Sequence, residues 1–211
     1  MHTLFQSLSV KPVPMTYLID PAVFEQTFLQ ARSANRFTGD AIDDDVLKAL
    51  YEAAKFGPTS MNCQPMRLVF VRSAAAKAKL KDALAPGNVE KTMAAPVTVI
   101  VAMDRQFHEQ LATQFPAVPG IAGMYVANAG LAAETALRNA SLQGAYLMIA
   151  ARLAGLAVGP MSGFDRAKVD EAFFRDTTWT TNFLFNLGVA DPAGYRPRGP
   201  RLSFDEVARI E

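Results

Sequence analysis

The chain has 211 residues, with 21 basic against 20 acidic side chains, two histidines and one cysteine. That length suits one domain with a full core. The net charge of +1 provides no electrostatic footprint for nucleic acid or an anionic membrane, and Cys63 with His2 and His108 excludes an internal disulfide or a zinc-ligand cluster. Half the residues are apolar and only 19% are charged, so apolar surface is expected against a partner subunit or around a ligand cavity.

Residues 1–18 read as an N-terminal extension, since Pro12 and Pro14 forbid a regular element there. No stretch is apolar enough for a signal sequence or a membrane span, and the single cysteine suits a reducing cytoplasm. A single domain is expected over 19–211. Asp20-Pro21 opens a helix, with Asp as N-cap and Pro at the first position; Val23, Phe24, Thr27, Phe28 and Ala31 then recur at helical spacing. Asp43 to Asp45 suit the start of a second helix, which turns Val46, Leu47, Leu50, Ala53 and Ala54 inward and stops at Gly57-Pro58.

Leu68–Val71 reads as a buried strand, followed by a Lys/Ala helix over 74–84 and a second strand, Val97–Val101. Residues 104–127 mix Phe107, Phe115 and Tyr125 with Pro116, Pro119, Gly120 and Gly123, which predicts a substrate-selecting lid. An alanine-rich helix runs from about Ala127 to Leu153, about 40 Å at 1.5 Å per residue. Its small side chains suit a central or subunit-interface helix, and the pattern fits an ordinary buried helix equally well. Asn139-Ala140-Ser141 forms a glycosylation sequon, but inside that helix. Phe183–Val189 is a third strand. Strands separated by helices place the fold in the α/β or α+β class.

Several chemistries are missing. No G-x-G-x-x-G follows a strand, no G-x-x-x-x-G-K-[ST] cradles a triphosphate, and no G-x-S-x-G presents a serine. A cofactor is therefore expected to carry any reaction. Four polar segments stand out: Arg32 to Phe37, Gly57 to Pro65, Asn88 to Lys91, and Arg196 to Arg198. Each alone reads as a solvated turn; together they fit one ligand. Arg32, Ser33, Arg196 and Arg198 suit a phosphate, while Asn62, Asn88 and Lys91 suit a polar heterocycle. Gly159 to Gly163 can bring bare backbone N–H groups close to a ring.

The order and spacing of these segments resemble the nitroreductase family of FMN enzymes. The basic–Ser–x–basic–x–Phe signature matches Arg32, Ser33, Asn35 and Phe37, and the P-S-S-x-N-x-Q-P turn matches Pro58 to Pro65. The N-x-x-K motif matches Asn88 and Lys91, and the C-terminal basic-x-Arg matches Arg196 and Arg198. The resemblance implies an α+β fold, with a mixed, mainly antiparallel sheet flanked by helices and a long central interface helix. It implies FMN held by Arg32, Ser33, Asn35, Pro58, Thr59, Ser60, Asn62, Asn88, Lys91, Ser162, Gly163, Arg196 and Arg198, with NADH or NADPH as hydride donor in a ping-pong cycle. It also implies a homodimer, with Pro58–Asn62 reaching the flavin of the neighbouring subunit.

A closer likeness, to the malonic-semialdehyde-reductase branch of pyrimidine breakdown, lies in Phe56 to Cys63, Ala95 to Thr98, Gly159 to Asp165 and Pro200 to Phe204. A broad nitroaromatic or quinone reductase, or a flavin carrier without turnover, remains open. Asn35, Met66 and Ser162 stand where many members have a basic residue, tryptophan and glutamate, and Ala31 replaces an arginine often found ahead of Arg32. More of the ligand then falls to Arg196, Arg198 and Lys91. Arg67 and Arg138 fit either a substrate carboxylate or a surface ion pair. Cys63 reads as a small residue filling a turn, and His108 as a surface residue.

Overall fold

Four strands carry the fold of the computed structural model, which describes residues 19–211; the extension expected over 1–18 lies outside the described residues. The chain divides after Ala31 into two compact units. In the first, the Asp20 carboxylate accepts the Ala22 N–H at 2.8 Å and Pro21 opens helix α1, Pro21–Phe24. The expected helix does not run on to Ala31 as an α-helix. It widens into a π turn, Glu25–Leu29, where the Gln30 N–H reaches the Glu25 carbonyl and the Thr27 hydroxyl donates back to Val23 O.

In the second unit the strands are β1 (Met66–Val71), β2 (Val97–Asp104), β3 (Ala157–Met161) and β4 (Trp179–Gly188), ordered β1-β2-β4-β3. Every pairing is antiparallel, so the sheet is not mixed as expected. All eight residues of β2 are buried, as befits a central strand. Strand β3 was not expected, because Gly159 and Pro160 argue against a strand. It forms because it is an edge, where a residue without an N–H is tolerated. A bulge skips Asn182 in the β2–β4 ladder and re-aims its amide at Ser141 Oγ, 2.9 Å away.

Helix α2 (Asp44–Ala54) buries Leu47, Leu50 and Ala54, whereas Val46 and Ala53 face outward. Ser73 caps α3 (Ala74–Lys81), and the polar stretch around Asn88 belongs to a further helix, α4 (Pro86–Ala94). After β2 come a 3₁₀ turn (Phe107–Gln110), α5 (Leu111–Gln114) and α6 (Gly123–Ala127). Helices α8 (Arg166–Phe173) and α9 (Phe204–Val207) follow β3 and β4.

The long helix α7, Ala129–Leu153, is capped by Asn128 and packs on α2 and all four strands. Its inward face is built of small and polar residues: Ala132, Ala136, Asn139, Ala140, Gln143, Gly144 and Ala151. A Cβ on Gly144 would stand 2.6 Å from the Phe183 ring, so the glycine sets how closely helix and sheet approach. Its outward face exposes Leu137, Leu142, Tyr146 and Leu153. No helix among the described residues is long and apolar enough to cross a membrane.

Candidate functional site

The segment 32–38 runs along the outer edge of β3 and the end of β4. The Ala34 N–H donates to Val158 O at 3.0 Å and the Thr38 N–H to Val189 O at 3.0 Å. Gly159 permits this approach, since a Cβ there would meet the Ala34 carbonyl at 2.4 Å. Asn35 Nδ2 donates to Ser33 O and Gly194 O, each at 3.4 Å, and Arg36 pairs with Asp191 at 3.0 Å. These contacts fasten Arg32 and Ser33 beside the C-terminal turn that leads into Arg196 and Arg198.

Positive charge accumulates there. Burial and then Arg196 hold the Lys91 ammonium below its usual value. Desolvation and then the guanidiniums of Arg32, Arg201 and Arg152 do the same to Arg198. Arg152, in the last turn of α7, is itself lowered chiefly by burial. Like charges within reach of one another favour an anion, and three of them, Lys91, Arg152 and Arg196, have no carboxylate partner among the described residues.

Lys91 comes from α4, and the same helix holds the next part of the site. Asn88 Nδ2 donates to Gly163 O at 2.7 Å, and the Ala85 N–H donates to the same oxygen at 3.0 Å. Asn88 therefore fixes the 162–163 backbone through its amide nitrogen. The Ser162 and Gly163 N–H groups, both on exposed residues, donate to no other group among the described residues. Next to them a cavity of about 390 Å³ is lined by Ser141, Met148, Pro160, Met161, Ser162 and Phe183. A larger groove of about 820 Å³, between α2 and β1, holds none of the expected site residues.

The Pro58–Asn62 turn lies elsewhere. Its backbone is held by α7, whose Asn139 Oδ1 accepts the Ser60 N–H at 2.8 Å. Asn139 and Ser141 are two positions apart on a helix, about 200° around its axis, so this turn and the Ser162 cavity lie on different sides of α7. Met61, Asn62 and Gln64 have positive φ, at 52°, 50° and 39°. The Asn62 amide donates to Gln114 O at 3.0 Å and accepts from Gln64 Nε2 at 2.9 Å. Thr59 Oγ1 accepts the Gln64 N–H at 3.3 Å. Pro58 and Ser60 are exposed.

One chain thus brings together Arg32, Ser33, Asn35, Asn88, Lys91, Ser162, Gly163, Arg196 and Arg198, and holds Pro58, Thr59, Ser60 and Asn62 apart from them. Sequence reasoning missed Arg152, which reads as an ordinary basic residue at a helix C-terminus, and Asn139, Gln143 and Gln114. The signal for Asn139 and Gln143 was available: two amides four residues apart, in phase with the small inward residues of α7.

Other residues are accounted for structurally. Arg67 pairs with Asp104 at 2.7 Å, and Arg138 pairs with Glu134. Burial pushes the Cys63 thiol up to about 11, so it is a neutral core residue at ordinary pH. Phe107 and Tyr125 are buried in the core with their rings 5.0 Å apart; they anchor the 104–127 segment and cannot serve as the expected contact groups of a lid. His108 is half-buried against both rings, and its buried Nδ1 has no hydrogen-bond partner among the described residues.

The nitroreductase family model matches residues 29–189. A Burkholderia lata protein with the provisional name NADH dehydrogenase/NAD(P)H nitroreductase is 55% identical over 93% of this chain and all of its own length. A provisionally named nitroreductase from Exiguobacterium sibiricum, solved in complex with FMN, is 25% identical, with a TM-score of 0.78 over 89% of this chain and 97% of that one. One from Bacillus subtilis is 26% identical, also at 0.78, over 90% and 99%.

Proposed function

The chain belongs to the nitroreductase family, and from that membership we propose that it is an FMN-dependent NAD(P)H oxidoreductase, a cytoplasmic homodimer with FMN sites between its subunits. The observation that carries this reading is the cationic face. Arg32, Arg152, Arg196 and Arg198 offer guanidinium forks suited to phosphate oxygens, and an anion placed among like charges is favoured by all of them at once. Lys91 is the cation available to the ring system, and Ser162 and Gly163 supply unspent N–H donors.

FMN bound there would supply hydride transfer from NADH or NADPH to an oxidised substrate. The chain's own work is electrostatic and steric. Lys91 favours negative charge beside it, and Met148, Met161 and Phe183 exclude water from the cavity wall. The Pro58–Asn62 turn, on another side of α7, would serve the site of a second copy. The exposed Leu142, Tyr146 and Leu153 on α7, with Phe56 and Val126, offer apolar surface for that association.

For the substrate, malonic semialdehyde reduced to 3-hydroxypropionate is supported by the motifs at Phe56 to Cys63, Ala95 to Thr98, Gly159 to Asp165 and Pro200 to Phe204. A second reading, reduction of nitroaromatics or quinones, is favoured by the largely apolar cavity and by the ion-paired state of Arg67 and Arg138. Purified protein should be yellow, release FMN on denaturation and bleach with anaerobic NAD(P)H. The ratio of kcat/KM for the aldehyde and a nitroaromatic then decides between substrates. Colourless protein that cannot be reconstituted with FMN overturns the reading; bound flavin that NAD(P)H leaves oxidised makes it a carrier.

A further inference from the structure

The least exposed charged residue of the described chain is a lysine. Lys77, in α3, is 4% exposed, although its alternation with alanine in a short basic helix reads as solvent-facing. Its Nζ donates to Thr92 O at 2.6 Å, Ala95 O at 2.9 Å and Thr98 Oγ1 at 2.8 Å. All three donors of an ammonium are satisfied. Two of the acceptors are carbonyls at the C-terminal end of α4, the negative end of its dipole.

The bonds continue in one direction. The Thr98 hydroxyl donates to Asn186 Oδ1 at 2.8 Å, Asn186 Nδ2 donates to Thr92 Oγ1 at 3.2 Å, and the Thr92 hydroxyl donates to Met161 Sδ at 3.6 Å. Thr98 and Asn186 are directly opposed in the β2–β4 ladder. Five elements are joined in this way: α3, β2, β4, α4 and β3. The last two members reach the candidate site, because α4 carries Asn88 and Lys91, and Met161 immediately precedes Ser162. Burying an ammonium is expensive, so a need for packing alone would be better met by methionine or leucine. Burial brings the Lys77 ammonium down to about 8. It is still cationic at neutral pH and able to fill all three acceptors.

We propose that Lys77 is a positioning residue for the cationic face: it fastens the end of α4 and the end of β3 to the sheet, and so fixes where Lys91 and Asn88 stand relative to Ser162 and Gly163. The ligand in this inference rests on the proposed FMN reading; the geometry does not.

The test compares wild type with Lys77→Met in three measurements: amide hydrogen exchange, FMN affinity of the apoprotein, and the midpoint potential of bound FMN. Lys77→Met should accelerate exchange in residues 86–95 beyond any global change. It should weaken FMN binding about tenfold, the loss typical of one charge-assisted hydrogen bond, and move the potential toward that of Lys91→Ala. Combined with Lys91→Ala it should add less than the product of the two single effects. A folded Lys77→Met protein with wild-type affinity, potential and local exchange overturns the proposal, whatever its melting temperature. If that variant does not fold, Thr98→Val, which keeps both carbonyl bonds, carries the same test with smaller effects of the same sign. Wild-type apoprotein that fails to bind FMN sinks the functional reading instead, and exchange in 86–95 then decides the role of Lys77 alone.

Discussion

The turn at 58–65 and the cationic face both descend from polar stretches of sequence, yet they are built in opposite ways. The turn is local and strained, with three non-glycine residues at positive φ, and several of its polar groups are committed within the chain, to Gln114, Gln64 and Asn139. Strain of this kind persists only where the surroundings over-determine it. The cationic face is assembled from segments more than a hundred residues apart, and its charges oppose one another. A turn with its groups committed presents a fixed shape, whereas a cluster of mutually repelling charges answers to a ligand. Substitutions in the first region should therefore register in folding stability, and in the second in binding.

The largest effect is expected from separating the two regions physically. Leu142→Glu puts an unpaired charge on the exposed apolar face of α7, which should weaken the proposed dimer by roughly 100-fold or more and release FMN. Sedimentation at low protein concentration reads both. A monomer that retains one FMN per chain would remove the turn from the ligand site.

Next in size, Lys91→Ala should raise the FMN dissociation constant about 10- to 100-fold and make the flavin midpoint potential more negative. Its folding stability should stay close to wild type. Lys91 is lowered in the free chain and must be protonated to attract an anion, so wild-type affinity should fall as pH rises through that lowered value. The variant should lose this dependence; titrations across pH check both statements.

Asn139→Ala should behave in the reverse manner. It leaves the Ser60 N–H without its acceptor and removes a buried amide, a loss of about 2 kcal/mol in urea denaturation of the apoprotein, with an unchanged denaturant slope. An effect on FMN affinity without a loss of stability would show that the turn acts on the ligand rather than on folding.

The smallest effect is expected from Arg152→Ala, at most about tenfold in FMN affinity. Because much of the cluster is solvent-exposed, wild-type binding should weaken with added salt, and the variant should show a shallower dependence. Equal salt slopes would take Arg152 out of the cluster.

Amino-acid order alone determined much of this molecule. Periodic apolar residues marked α2 and α7, β-branched runs marked the cores of β1, β2 and β4, and four spaced polar motifs marked most of the candidate site. These are local signals, carried by residues whose preference for helix, strand or turn does not depend on distant neighbours. Other features were decided only by the tertiary structure. Strand β3 exists because a sheet edge tolerates Pro160, and Phe107 and Tyr125 became core because helices packed around them. The Pro58–Asn62 turn fell on a different side of α7 from the Ser162 cavity. Lys77 and Asn139 acquired their roles from acceptors and donors 15 to 79 positions away. A polar side chain carries no local mark of the partner that will satisfy it once water is excluded, because that partner is chosen by packing.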